Sequence, residues 1–562
     1  MDESAKQTDT SRKQSSSATD NQKSPLNVLR IQGKFSRGLV WAGLIVLVFF
    51  LYTFGISQNP PGFYVDESGI AYNAYLVTKT GAGEFGSRFP LFFKFYTGGF
   101  TQYANPVSVY LLAFVFWLFG PGILLARLLA AISMYAASLL LGVLAARISG
   151  KKTIGYIMAL TALLTPWLFE VGRLMLETFF YPMAVVLFLL TIYRVHKKRE
   201  WSWSDCVVVA LTLALLTYTY TIGRLLGPLL ALGLLFFAAN KQRLLAIFKT
   251  WLIYGVTLIP LILFRLQNPD LTTRFSLLSY IKPESTPGEI AVNFVSRFLQ
   301  DINPVSLLVY GDTNQRHHLA GALGSMFFAT FILALIGIVV ILIRHRRDAW
   351  WQFVFYGLAV SVVPGALTVD KFHTLRMIAY PVFLLLLTVP ALEWLLEKPK
   401  SAQPENDETF RDKRVKSKFS FSGRAFRQPG RRAILAVLLI ATMAEASYFH
   451  WQYQREGHKR SYFFDEAYKE IYDDAVALPN RPIYLVDGVM GPGYMHAFWY
   501  AALEGRSIDE FIHPQYGAPV PAGVIVISTE QNCNNCQILN RKGDYIFYKT
   551  NKAERFELNI MR

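Results

Sequence analysis

The chain has 562 residues, of which 53% are hydrophobic and only 17% charged, and its formal net charge is +17. Soluble proteins carry charges at about a quarter of their residues, so this composition excludes an ordinary soluble protein. The hydrophobic residues are concentrated in blocks long enough to cross a bilayer, and the basic residues lie in the loops between them. We therefore predict a polytopic α-helical membrane protein whose positive charge meets lipid head groups rather than nucleic acid.

The N-terminal segment, residues 1–36, is rich in Ser, Thr, Gln, Asp and Lys, and we expect it to be disordered. The first span is predicted at residues 38–57. Arg30, Lys34 and Arg37 precede this span and should hold the N-terminus in the cytoplasm.

The next apolar run, residues 106–119, has only 14 residues, whereas a spanning helix needs about 20. We predict that it is a juxtamembrane helix lying in the outer interface. Every dense basic cluster then falls in a cytoplasmic loop, including the long basic loop 396–432, as the positive-inside rule requires. The prediction is eleven spans, and those after the first are 122–148, 153–170, 178–194, 205–222, 224–240, 246–266, 320–343, 349–369, 374–395 and 433–449.

Three regions are then extracytoplasmic: the loop 58–121, the loop 267–319 and the C-terminal segment 450–562. The last contains strand-like runs at 482–486, 522–527 and 545–548, which predict a small α/β domain.

Cys533 and Cys536 form a C-x-x-C pair in the same segment. No second Cys/His pair at suitable spacing completes a zinc site, so we predict a disulfide, which an outer location favours.

Charged residues gather at the outer ends of the predicted spans. Asp66 and Glu67 follow the first span, in a loop rich in glycine and aromatic residues. An acid pair beside hydrocarbon is a candidate site, although a solvated helix N-terminus explains most such pairs. The other outer charges are Arg127, Arg173, Glu177, Arg224, Lys371, His373 and Arg376.

Snorkelling to lipid head groups explains any one of these basic residues. Several of them opposite an acid pair instead indicate an anionic ligand such as a lipid phosphate, which guanidinium groups bind bidentately. This combination permits sugar transfer from a polyprenyl phosphate. A lipid phosphate leaves as a stable anion, so one carboxylate that deprotonates the acceptor hydroxyl suffices.

From about residue 38 to residue 395, the chain resembles the GT-C membrane glycosyltransferases, specifically the bacterial relatives of the protein O-mannosyltransferases. The aminoarabinose transferases are related to these. The resemblance lies in the order and spacing of Asp66-Glu67, the run 106–119, Phe119-Gly120, Ala126-Arg127-Leu128, Gly172-Arg173 with Glu177, and His373-Thr374-Leu375-Arg376-Met377.

The resemblance implies a GT-C fold, inversion at the anomeric carbon, and no metal or other cofactor. It also implies that Asp66 is the catalytic base, that Glu67 positions the acceptor and that Arg127 binds the donor phosphate. Arg376 and Lys94 are further candidates for the phosphate site, and Arg173, Glu177 and His373 for other roles. The chain departs from the aminoarabinose branch at Asn105, where that branch has a phosphate-binding lysine, so the sugar and the acceptor stay open.

The sequence thus predicts a transferase in a cell membrane, with a transmembrane catalytic module at 37–395 and both the reaction and the C-terminal domain on the outer face. Its partners would be a polyprenyl-phosphate sugar, a protein, lipid or glycan acceptor, and membrane lipids. The alternative is a non-enzymatic transporter or a flippase for lipid-linked sugars, which would more often place ionisable groups in the middle of its spans.

Overall fold

The computed structural model describes residues 25–95, 101–269, 278–321, 323–397, 428–486, 493–514, 518–529 and 535–555. The chain forms two compact units, 1–47 and 48–562. The first unit contributes the N-terminal part of one long helix, and the contacts described below lie within the second.

Most of the described residues are helical. The α-helices are α1 (Pro25–Thr53), α2 (Val65–Thr80), α3 (Pro106–Phe119), α4 (Ile123–Ser149), α5 (Lys152–Leu164), α6 (Pro166–Gly172), α7 (Tyr181–His196), α8 (Trp203–Thr219), α9 (Gly223–Gly233), α10 (Lys241–Gln267), α11 (Pro287–Asp301), α12 (Phe328–Val340), α13 (Ala349–Ala366), α14 (Tyr380–Leu386), α15 (Thr388–Leu395), α16 (Gln428–Glu456), α17 (Glu466–Ala477) and α18 (Tyr494–Glu504).

Helix α1 begins at Pro25, so it extends into the segment for which the sequence predicts disorder. Adding residues to a helix that has already formed costs little, and the apolar run at its C-terminal end supplies that helix. The rest of the predicted disordered segment, residues 1–24, lies outside the described residues, as does most of the predicted cytoplasmic loop 396–432.

In the described part of the chain, six helices are long and apolar enough to cross a membrane, or seven if the pair α5 and α6, bent by 61°, forms one span. Shorter apolar helices cover the remaining predicted spans, at Leu39–Thr53, Trp203–Thr219, Gly223–Phe237 and Tyr380–Leu395. The chain is therefore an integral membrane protein in which each predicted span coincides with an apolar helix. The number of helices that cross stays a prediction.

Helix α3 has the bounds that the sequence predicts. Pro106 occupies its first turn, where the missing N–H costs nothing, and Gly120, at φ +83°, follows its end. One side of the helix is buried, whereas Phe114, Trp117 and Phe119 are exposed. An exposed aromatic face of this kind fits a helix that lies in the membrane interface.

The membrane topology can be tested with reporter fusions. If α3 does not cross, fusions after residues 150, 200 and 346 should report the cytoplasm, and a fusion after residue 500 should report the opposite side. A cytoplasmic signal from residue 500 would contradict the predicted orientation.

The C-terminal region forms a five-stranded mixed sheet with the order β4-β3-β6-β8-β7. Strand β3 pairs in parallel with β4 and β6, whereas β8 pairs antiparallel with β6 and β7. These strands confirm the three predicted strand-like runs and the small C-terminal α/β region. The strands among the described residues are β1 (Phe93–Phe95), β2 (Gln102–Ala104), β3 (Ile483–Val486), β4 (Phe511–Ile512), β5 (Pro519–Val520), β6 (Ile525–Ser528), β7 (Cys536–Lys542), β8 (Tyr545–Thr550) and β9 (Glu554–Arg555).

The predicted disulfide involves Cys533, which lies outside the described residues, and Cys536, which begins β7. The disulfide therefore stays a prediction.

Candidate active site

Helix α2 carries the acid pair and begins directly before it. The Glu67 carboxylate turns back to accept the backbone N–H of Tyr64 at 3.1 Å, which satisfies one of the free N–H groups at the helix start. Gly81, in the left-handed conformation at φ +69°, ends the helix. Asp66 and Glu67 are neighbours on this helix, so their side chains point about 100° apart and meet different surroundings.

Glu67 is fully buried and binds Arg127 in a bidentate ion pair. The two Nε/Nη2–carboxylate distances are 3.0 and 2.9 Å, and the backbone N–H of Met175 donates to the same carboxylate at 3.0 Å. Neither Glu67 nor Arg127 has measurable solvent exposure. These contacts do not fit the predicted role of Glu67 in positioning an acceptor, because its oxygens are already occupied.

Arg127 has no donor left for a phosphate. Its remaining N–H groups donate to the backbone carbonyls of Ile56, Pro60 and Gly62 at 3.2, 2.7 and 2.9 Å. A guanidinium has five N–H donors, and these bonds use all of them. The geometry thus gives Arg127 a structural role, that of joining α4 to the loop before α2, in place of the predicted phosphate site.

Arg173 is buried in the same way. It donates to the carbonyls of Tyr52, Phe54 and Asn59 at 2.6 to 2.9 Å and lies over the rings of Phe169 and Tyr453. Arg173 therefore fastens the end of α1, and it is not among the described residues that line the cavity below.

Lys94 lies in the short strand β1, with its Nζ 5.2 Å from the centre of the Phe85 ring. It is likewise not among the described residues that line the cavity.

A cavity of about 380 Å³ opens beside Asp66. Four of the predicted site residues line it: Asp66, Glu177, His373 and Arg376. The side chains of Arg224, Arg316 and His317 also line the cavity. Ligand sites commonly have volumes of 300 to 1,000 Å³, so this cavity has room for a sugar phosphate.

Three guanidinium groups therefore face the cavity. Arg224 donates to Asn105 at 3.0 Å, and its Nε has no hydrogen-bond partner among the described residues. Arg316 donates to the Tyr64 hydroxyl and lies 4.4 Å from the centre of that ring. Arg376 pairs with Asp370 and donates to Thr368. Among the described residues that line the cavity, three arginines face two carboxylates, Asp66 and Glu177, and Asp370 pairs with Arg376 from outside this set. The lining therefore favours an anion.

Asn105 and Glu177 support Arg224. Glu177 accepts the backbone N–H of Asn105 at 2.5 Å and its side-chain amide at 3.0 Å, which directs the amide oxygen of Asn105 toward Arg224. Asn105 therefore holds an arginine at the cavity.

Asp312, His317 and His373 form a further cluster whose ligand-type atoms lie within 4.8 Å of one another, a spacing that would suit a divalent cation. However, Asp312 already accepts bonds from the Thr374 N–H and hydroxyl at 2.8 Å and from His317 Nδ1 at 3.0 Å. The neighbouring arginines also disfavour a cation. The predicted lack of a metal requirement stays a prediction.

The pKa values in this cluster follow from its burial and charges. Burial alone would raise the pKa of the Asp312 carboxyl, but the hydrogen bond from His317 holds it below its ordinary value. Burial, together with His317 and Arg376, lowers the pKa of His373 well below its ordinary value. His373 is therefore neutral at neutral pH.

Arg316 and His317 line the cavity but were not among the predicted site residues. Both lie in the predicted outer loop 267–319, where no helical periodicity marks them. The signal that could have found them is the run Arg316-His317-His318, a basic cluster on the predicted outer side, against the usual bias.

Comparisons with known proteins identify similar sequences and folds. Residues 104–265 match the profile of the dolichyl-phosphate-mannose-protein mannosyltransferase family. The apo structure of ArnT from Cupriavidus metallidurans is similar, with a TM-score of 0.52 and 12% sequence identity over 92% of this chain and 98% of that one. No protein of curated function matches the sequence significantly.

A second structure of the same ArnT, bound to undecaprenyl phosphate, also gives a TM-score of 0.52, with 11% identity over 91% of this chain and 98% of that one. The chain has the GT-C fold seen in ArnT, and its residues 104–265 are similar to the protein mannosyltransferase family. This confirms the predicted resemblance and the predicted fold class.

Proposed function

We propose that this protein is a membrane glycosyltransferase that moves a sugar from a polyprenyl-phosphate donor to a hydroxyl group, with Asp66 as the general base. The observation that carries the proposal is the cavity in which Asp66 and three arginines converge. The family match and the undecaprenyl phosphate bound in the ArnT structure support a lipid-linked donor.

The donor phosphate would lie against Arg224, Arg316 and Arg376, and not against Arg127. These three groups line the cavity, whereas Arg127 is saturated by Glu67 and backbone carbonyls. The unpartnered Nε of Arg224 gives a phosphate oxygen a buried donor that would otherwise lack a partner. Hydrogen bonds between guanidinium groups and phosphate are among the strong ones because both partners are charged.

In the proposed reaction, the acceptor oxygen attacks the anomeric carbon from the side opposite the phosphate. The bond between that carbon and the phosphate oxygen breaks, and the lipid phosphate leaves with the bonding electrons. The proton of the acceptor hydroxyl passes to the Asp66 carboxylate. The arginines stabilise the charge that develops on the phosphate, and the attack from the opposite side inverts the anomeric centre.

The family match favours a hexose such as mannose, and the related aminoarabinose transferases leave a pentose open. The acceptor would be a protein, a lipid or a glycan at the outer face of the membrane. Glu67 would act indirectly, because its ion pair with Arg127 holds the helix on which Asp66 stands.

The arginine cluster gives a prediction for donor binding. Replacing Arg224, Arg316 or Arg376 with Ala should weaken the binding of a polyprenyl phosphate about 10- to 100-fold each, because one hydrogen bond between charged groups is lost. Titration of the purified protein with a labelled polyprenyl phosphate measures this. Arg347→Ala, at an exposed position remote from the cavity, is the matched control. Unchanged affinity in all three variants would contradict the proposed phosphate site.

A further inference from the structure

Three consecutive residues of α2 have three different partners. Asp66 lines the cavity, Glu67 pairs with Arg127 of α4, and Ser68 contacts His496 of α18 in the C-terminal domain. Because successive helical side chains point about 100° apart, the partners of Glu67 and Ser68 together fix the rotation of α2 about its own axis. That rotation decides where the carboxylate of Asp66 points.

The contact with the C-terminal domain is a buried chain of hydrogen bonds. The Ser68 hydroxyl lies 2.8 Å from His496 Nδ1, and His496 Nε2 lies 3.3 Å from an Asp465 carboxylate oxygen. The hydroxyl of Tyr545, in strand β8, donates to the other Asp465 oxygen at 2.8 Å. Ser68 and His496 are both 0% exposed, so water does not compete for these bonds.

The same domain also holds the start of α2 through its backbone. Asp465 accepts the backbone N–H of Val65, the first residue of the helix, at 3.2 Å. Gly62, at φ +78°, approaches this segment so closely that a Cβ would lie 2.2 Å from the Phe464 carbonyl oxygen. Phe464 itself lines the cavity, so the contact between this segment and the start of α2 lies beside the site.

Aromatic packing completes the contact. The ring of Trp499, also in α18, stacks between Phe63 and Phe116, with ring centres 5.8 Å apart in both pairs. Phe63 precedes α2 and Phe116 belongs to α3, so Trp499 packs against α3 and against the segment that leads into α2.

The order Ser68, His496, Asp465 resembles the arrangement of a nucleophilic triad, but Ser68 does not fit that role. Its side chain is fully buried and it is not among the described residues that line the cavity. A nucleophile must reach a substrate. The chain of hydrogen bonds from Ser68 to Asp465 therefore holds α2 in place.

We infer that the C-terminal domain is a working part of the transferase site, in which His496, oriented by Asp465, is a positioning residue for Asp66. This inference rests on the proposed role of Asp66 as base. The domain fixes α2 from outside the membrane module, so that the carboxylate faces the cavity and its arginines. The loss of this contact would misdirect the base, while Arg224 and Arg376, which stand on other elements, would keep their places at the cavity.

The test compares His496→Ala with His496→Asn in the full-length protein. A displacement of about 1 Å at a reacting group can cost about 100-fold in rate, so kcat should fall about 10- to 100-fold in the Ala variant. KM for the donor should stay within about twofold, since Arg224, Arg316 and Arg376 are unchanged. The Asn side chain retains a polar group near Ser68, so this variant should recover part of kcat. His458→Ala, an exposed histidine nearby in the chain, is the matched control.

Hydrogen exchange measures the position of α2 independently of activity. The amides of Val65–Thr80 should exchange faster in His496→Ala than in the wild type, while those of α4 and α13 should not change. Unchanged exchange in α2 with wild-type kcat would overturn the inference, and so would uniformly faster exchange along the chain, which indicates general unfolding. Full activity of Asp66→Asn would instead contradict the proposed function, whatever the exchange in α2 shows.

Discussion

Replacing Asp66 with Asn should lower kcat for sugar transfer by about 10²- to 10⁴-fold, which is the usual contribution of a positioned general base. The substitution keeps the shape of the side chain and removes its basicity. The affinity for the lipid phosphate should therefore stay close to that of the wild type, since the arginines of the cavity are untouched. Turnover with a polyprenyl-phosphate sugar, measured beside donor binding on the same preparation, checks both parts.

Asp509→Asn is the matched control for this experiment, because Asp509 is an exposed carboxylate in the C-terminal domain. It should transfer sugar at the wild-type rate. If Asp66→Asn also transferred sugar at the wild-type rate, Asp66 would only stabilise the start of α2, and its proposed role as the general base would be wrong.

Removing Arg127 should act on stability. Arg127→Ala leaves Glu67 buried without a counter-charge and leaves three backbone carbonyls without their donors. Breaking a buried ion pair from one side typically costs about 3–5 kcal/mol in the free energy of unfolding. Arg127→Lys should recover only part of this loss, because an ammonium group offers three donors where the guanidinium offers five. Reversible unfolding in detergent micelles measures these differences.

The control is Arg344→Ala, which breaks the ion pair with Glu397, where the two side chains are 43% and 48% exposed. Exposed pairs of this kind contribute at most about 1 kcal/mol, so this variant should be nearly as stable as the wild type. An Arg127→Ala protein of wild-type stability with weakened donor binding would restore Arg127 to the phosphate site.

The sequence predicted the membrane helices well because hydropathy depends on local composition. The same holds for α3, which the flanking Pro106 and Gly120 delimit, and for strands β3, β6 and β8. Asp66, Glu177, His373 and Arg376 line one cavity because charges next to the ends of neighbouring spans gather at the same face of the bundle.

The partners of the charged residues could not be predicted in this way. Glu67 and Arg127 lie 60 residues apart in the chain, and the spacing of charges does not show which basic side chain will pair with a given carboxylate. The contact between α2 and the C-terminal region could not be predicted for the same reason, since Ser68 and His496 are separated by 428 residues. Such pairings arise from tertiary packing, which local periodicity does not encode.

The most direct test of the proposed function follows the donor itself. Purified protein in lipid vesicles is supplied with a polyprenyl-phosphate sugar and a hydroxyl acceptor, and the lipid products are identified by mass spectrometry. The proposed reaction predicts free polyprenyl phosphate and an equal amount of glycosylated acceptor, both strongly reduced in Asp66→Asn. Intact donor that has moved to the other leaflet, with no polyprenyl phosphate released, would contradict the transferase and indicate a flippase.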